Sequence, residues 1–129
     1  MQTRMLVLAL ATFSIFAVQA SPQYILKVEN HTNQTLKLAP PKTALSEWAE
    51  NQNLDNLRAI NPGDFVLWLI NLEEHQDIKI KYENDLASCT ISPHIKYNNN
   101  QTSALGKHCT LHNTSSPEPY QSVAIIGSH

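Results

Sequence analysis

Few side chains in this sequence could do chemistry, and they are scattered. His108 and His112 stand four apart, which on a strand puts both on one face but about 13 Å apart at the rise per residue, too far for one metal unless the chain bends. Zinc sites draw on three or four ligands and spacing fixes no third, so the pair reads as exposed loop histidines. Glu73, Glu74, His75 and Asp77 cluster between two apolar stretches. As an acid and base pair they would need a cleft that raises one pKa; otherwise adjacent carboxylates there are a solvated turn. A small hydrolase would take its parts from Glu73, Glu74, His75, His94, His108 or His112. No G-x-S-x-G elbow, P-loop, H-E-x-x-H or dinucleotide fingerprint occurs, and three glycines leave little for backbone phosphate cradles. The chain is expected not to be an enzyme and to hold no cofactor and no metal.

Cys89 and Cys109 are the only cysteines. An even count in an exported chain favours a disulfide, and closing a loop of roughly 20 residues should stabilise the fold by about 3 kcal/mol. The alternative, a catalytic thiol, needs a base. His108 is adjacent, and neighbours on a strand point to opposite faces.

Export is read from the start of the chain. Arg4 precedes a run from Met5 to Val18 that is apolar apart from Thr12 and Ser14, and Val18-Gln19-Ala20 supplies a small-x-small cleavage site. The run is short for a membrane span, and Ser21, Pro22 and Gln23 end it without a cationic cluster. Residues 1–20 are therefore expected to be a signal peptide and 21–129 a single secreted or periplasmic domain. That domain holds eight lysines and arginines against eleven carboxylates, with no basic block, which argues against nucleic acid as a partner.

Short stretches with period-two alternation, separated by Asn, Pro and Gly, predict an all-β domain, a two-layer antiparallel β-sandwich. Tyr24, Leu26 and Val28 share one face of the first stretch, with Lys27 and Glu29 on the other. Leu36 and Leu38 alternate in the second, and the intervening Asn30–Gln34 reads as the turn of an opening hairpin. Ile78, Ile80 and Tyr82 against Lys79, Lys81 and Glu83 make the clearest strand. Shorter candidates are 90–91, 95–97, 107–111 and 122–126, while 98–102 and 113–119 read as loops. Around residues 43–57 the period changes, with Leu45, Trp48 and Ala49 behind a cap at Thr43, so a short helix or an ordered loop is expected.

One stretch does not suit a half-exposed sheet. Phe65 to Ile70 is apolar on both faces and follows a strong turn signal, Asn61-Pro62-Gly63-Asp64. Phe65, Leu67 and Leu69 lie on one side, Val66, Trp68 and Ile70 on the other. Either the 41–58 segment folds back over the outer side with Trp48 packed there, or a partner, a second copy or a lipid surface covers it. Trp48, Val66, Trp68 and Ile70 are thus candidates for a partner-binding or core patch.

From Ile25 to Tyr82 the order of features resembles the small β-sandwiches of the aegerolysin and actinoporin kind. It runs through an alternating strand ending in Val28-Glu29-Asn30, a Thr-bearing turn, Leu36-Lys37-Leu38, Trp48, then Ile60-Asn61-Pro62-Gly63 before an apolar strand, and a later strand ending at Tyr82. The resemblance is of pattern and covers about half of residues 21–129. It implies a secreted, non-enzymatic protein that binds membrane lipid. The sequence departs from those families in its few glycines and in lacking an aromatic cluster near its ends, so no membrane-binding residues carry over.

The expected function is a secreted or periplasmic binding protein that recognises a macromolecule or lipid surface, its partner a protein or membrane lipid. The alternative is a small extracytoplasmic inhibitor of a hydrolase such as lysozyme, working by inserting a loop. Sequons at Asn30, Asn33, Asn100 and Asn113 would be glycosylated in a eukaryotic secretory pathway.

Overall fold

A computed structural model of the chain describes residues 23–39, 54–71, 78–97, 99–114 and 120–127. Eleven strands run through them: β1 (Gln23–Asn30), β2 (Leu36–Ala39), β3 (Ala59–Ile60), β4 (Phe65–Asn71), β5 (Ile80–Glu83), β6 (Ser88–Ser92), β7 (Ile95–Lys96), β8 (Asn99–Asn100), β9 (Ser103–Leu105), β10 (Cys109–Thr114) and β11 (Tyr120–Ile126). A single 3-10 turn, Leu54–Asn56, precedes β3. Residues 1–20, expected to be a signal peptide, and Trp48 lie outside the described residues, as does most of the stretch expected to be a short helix or ordered loop.

The strands form a first sheet in the order β10-β11-β1-β4 and a second in the order β3-β2-β5-β6-β9, with β7-β8 as a separate pair. The expected all-β sandwich with one disulfide is present. Pairing is antiparallel except at the middle of the first sheet, where β1 runs parallel to β11 with Tyr24 opposite Tyr120 and Asn30 opposite Ile126. Alternation decides the inward faces, as period two requires. Tyr24, Leu26 and Val28 from β1, Val66, Trp68 and Ile70 from β4, Ile80 and Tyr82 from β5, and Ala124 and Ile126 from β11 belong to one buried cluster. Cys89 on β6 and Cys109 on β10 are disulfide-bonded, tying the second sheet to the first.

The opening hairpin is overturned. β1 pairs with β11 and β4, whereas β2 pairs with β3 and β5, so Asn30–Gln34 crosses from one sheet to the other. The physical reason is Asn30, whose side chain is fully buried. Its Nδ2 donates to the carbonyls of Gln34 and Ile60, each at 2.8 Å. Its Oδ1 accepts from the Thr32 amide at 2.8 Å and the Thr32 hydroxyl at 2.7 Å. One amide thereby satisfies the polar groups that a hairpin would have paired along a ladder.

The Asn61–Asp64 turn docks on the same residue. Gly63 N donates to Asn30 O and Asn30 N donates to Asp64 O, both at 2.9 Å. Asp64 N returns to Asn61 O at 3.0 Å, and Gly63 sits at φ 82°, the third position of a type II turn, where glycine is favoured. The region 98–102, expected to be a loop, contributes Asn99–Asn100 as β8.

Candidate functional site

Among the described residues no group of three or more His, Cys, Asp or Glu could hold a metal ion. His108 lies outside β10 with a left-handed backbone, φ 59°, so it does not share a regular strand face with His112. Both are exposed. Glu73, Glu74, His75 and Asp77 lie outside the described residues. The two cysteines are consumed in the disulfide, which suits an oxidising compartment.

The loops at one end of the sandwich enclose a cleft of about 560 Å³ lined by His31, Thr32, Asn33, Asp85, Leu86, Ala87, Lys107, His108 and Gly127. It gathers two histidines, a lysine and a carboxylate. His31 Nε2 lies 2.7 Å from Glu29 Oε1, and Lys27 Nζ sits 3.2 Å from the other oxygen of that carboxylate. The His31 contact, then Lys27, hold the Glu29 carboxyl below its usual range.

Of the two roles open to Val66, Trp68 and Ile70, the structure gives them the core one: Trp68 and Ile70 are fully buried and Val66 nearly so. Trp68 Nε1 donates to the Tyr82 hydroxyl at 3.0 Å, and that hydroxyl donates to the Leu57 carbonyl. Burial pushes the Tyr82 pKa far above its ordinary value, so the phenol remains a neutral donor. The described end of the 41–58 segment, with buried Leu57 and with Arg58 O bonded to Leu38 N at 2.8 Å, belongs to the second sheet. The remainder, with Trp48, lies outside the described residues.

The opposite side of β4 is the exposed one: Phe65 is 52%, Leu67 42% and Leu69 46% accessible. Register extends this side across the sheet. Leu69 stands opposite Ile25, Leu67 opposite Lys27, and Phe65 opposite Glu29. Lys27 and Glu29 in turn oppose Val123 and Ile125 of β11. The outer face of the first sheet is thus apolar along β4 and mixed beyond it. Phe65, Leu67, Leu69, Ile25, Val123 and Ile125 share it with a Lys27–Glu29 ion pair and, toward β10, with Gln121, Thr110, His112 and Thr114. Lys27 Nζ lies 4.4 Å from the Phe65 ring centre. Large exposed apolar patches on soluble domains mark binding surfaces.

Sequence reasoning missed the roles of the asparagines. Asn30 and Asn100, read as sequons, are buried with their amides engaged, so the folded protein offers neither for modification. Asn113 is exposed, but its Nδ2 is bound to the Thr102 carbonyl at 2.9 Å. The repeated Asn-x-Thr spacing was the visible signal: in each buried case the Thr hydroxyl donates to the Asn Oδ1 two residues earlier.

No protein-family model matches the chain, and no curated protein is significantly similar to it.

Proposed function

We propose that this protein is a secreted or periplasmic, non-enzymatic binding protein that recognises a lipid or macromolecular surface through the outer face of its first sheet. The half-exposed row of Phe65, Leu67 and Leu69, continued by Ile25 and Val123, carries this reading. A strand that spends three apolar side chains on its outward face gains little for its own core from them. The oxidised cysteine pair supports an extracytoplasmic location, and the apolar run at 5–18 supports export as the route.

The test is co-sedimentation of residues 21–129 with phosphatidylglycerol and phosphatidylcholine vesicles, alongside pull-down from the matching cell-envelope fraction. The variants are Leu67→Ser and Val123→Ser, each checked for native near-UV circular dichroism. Binding by the parent that weakens in the folded variants supports the reading. Binding left unchanged by both variants would sink it.

A further inference from the structure

Residues 93–102 leave both sheets. β7 and β8 pair only with each other, Ile95 opposite Asn100 and Lys96 opposite Asn99. Beyond β7 stands Tyr97, 87% accessible, the highest value of any large hydrophobic side chain among the described residues. Its backbone is left-handed at φ 53°, a conformation that bulky side chains seldom adopt. Unfavoured backbone geometry of this kind persists only where the surroundings over-determine it.

The base of the hairpin is firmly held. Asn100, buried at the root of the hairpin, donates through Nδ2 to Gln121 O at 2.7 Å and Ser122 Oγ at 3.1 Å. Ser122 Oγ donates to Asn113 Oδ1 at 2.6 Å, and Asn113 Nδ2 returns to Thr102 O at 2.9 Å. Thr102 is buried too, and its hydroxyl donates to Asn100 Oδ1 at 2.6 Å. Across the base, Gln101 N donates to His94 O at 2.7 Å and His94 N to Thr102 Oγ1 at 3.2 Å. This closed ring, three side-chain links and one through the Thr102 backbone carbonyl, ties the base of the hairpin to β10 and β11. Its buried members, Asn100, Thr102 and Ser122, all have side-chain partners, and such a network rigidifies what it holds.

Charge defines the tip further. Lys96 Nζ lies 5.3 Å from the Tyr97 ring centre. The chain is acidic overall, yet from residue 86 to residue 117 it contains Lys96 and Lys107 and not one Asp or Glu. Above this anchored base β7 and Tyr97 offer an exposed aromatic ring and an ammonium group, with no carboxylate on either strand to repel an anionic partner. A preorganised convex element saves the ordering cost that weakens flexible binders, and tyrosine at such a tip is a common anchor. Its complement is concave, acidic and shaped for a flat ring. Glycoside hydrolase clefts meet that description, since they hold paired carboxylates beside subsites for planar sugar faces.

We propose that the β7–β8 hairpin is an inhibitory finger for the substrate cleft of a glycoside hydrolase, with Tyr97 in a sugar subsite and the Lys96 ammonium against a catalytic carboxylate. No bond is made or broken; occupancy alone blocks the substrate. This inference does not depend on the outer face of the first sheet.

The test measures inhibition of chicken-type, goose-type and invertebrate-type lysozymes on bacterial cell walls by the oxidised 21–129 domain. Inhibition of at least one is expected. Tyr97→Ala and Lys96→Glu should each raise the inhibition constant about 30-fold, the scale of an interface hot spot, while Tyr97→Phe retains most of the effect and Leu67→Ser all of it. Tyr97→Gly separates recognition from folding: glycine relieves the left-handed backbone, so thermal stability should hold or rise while inhibition is lost. No inhibition of any of the three enzymes by the folded domain, or full inhibition by Tyr97→Ala, overturns the proposal. So does a loss of vesicle binding in place of inhibition in the Lys96 and Tyr97 variants.

Discussion

Trp68 on β4 and Tyr82 on β5 join the two sheets by one hydrogen bond through the middle of the core, indole N–H to phenol oxygen at 3.0 Å. The phenol in turn donates a hydrogen bond to the Leu57 carbonyl, so a single hydroxyl satisfies a donor in the first sheet and an acceptor beside the second. Tyr82→Phe keeps the ring but leaves both buried groups without it. Leaving a buried group unsatisfied costs about 1–3 kcal/mol, and chemical denaturation should show a loss in that range. A variant as stable as the parent would mean that the bridge carries no net stability.

Tyr24 is the opposite case. Its hydroxyl is buried near Ser122 and Thr102 but makes no well-formed hydrogen bond, and burial raises its pKa. Removing an unsatisfied buried hydroxyl relieves a desolvation cost. Tyr24→Phe should leave stability unchanged or raise it by up to about 1 kcal/mol, read from the same denaturation midpoint. The contrast with Tyr82→Phe makes the pair a controlled comparison of one chemical change in one core.

Asn30→Ala removes four hydrogen bonds at the crossing between sheets. With several buried partners orphaned at once, the expected loss is about 2–4 kcal/mol. Hydrogen exchange should localise the effect, with the Thr32 and Gly63 amides losing protection first.

Fold and candidate surface were legible to different depths. Alternation at Tyr24–Val28 and at Ile78–Tyr82 gave the inward faces correctly, because side-chain direction on a strand is a local property. Which strand lies beside which is not local. Asn30 reads as a turn residue in either outcome, and only the burial of its amide turns a hairpin into a crossing. The doubly apolar character of Phe65–Ile70 was plain, and so were its two sides. That the odd-numbered side is the exposed one follows from Trp68 finding Tyr82 across the core. Tyr97 was invisible as a site, since a tyrosine before a run of asparagines looks like any polar loop until its backbone angle and the anchoring of Asn100 are known.

Glu29 gives the fold a modest dependence on acid. Contacts with His31 and Lys27 lower its pKa from the ordinary 4.5, so the unfolded chain takes up that proton first as pH falls. Its contribution is fully present above the unfolded value and is lost as pH falls through the lowered, folded one. Melting temperatures of the parent and Glu29→Gln should therefore differ at pH 7 and converge toward pH 3. A constant gap across that range would show that the carboxylate acts by shape alone.

Reduction of the disulfide, or the double change Cys89→Ala with Cys109→Ala, should cost about 3 kcal/mol in the chain-entropy account for a separation of 20 residues. Loss should appear at the denaturation midpoint with both sheets still formed by far-UV circular dichroism.

The parallel pairing of β1 with β11 sets the order of assembly. β4 can settle against β1 early, but the other flank of β1 waits for a strand from the far end of the chain, and β10 reaches that sheet through β11. Contacts of such long sequence separation form slowly, because the chain must close a large loop before they return anything. Cys109 does not wait for that docking: β6 pairs with β9 and Ser88 N donates to Lys107 O at 3.0 Å, so the two cysteines, 20 residues apart, are brought together by local pairing. The sulfur–sulfur bond is a clasp that can close ahead of the slowest pairing, so free thiol should disappear before the central sheet is complete.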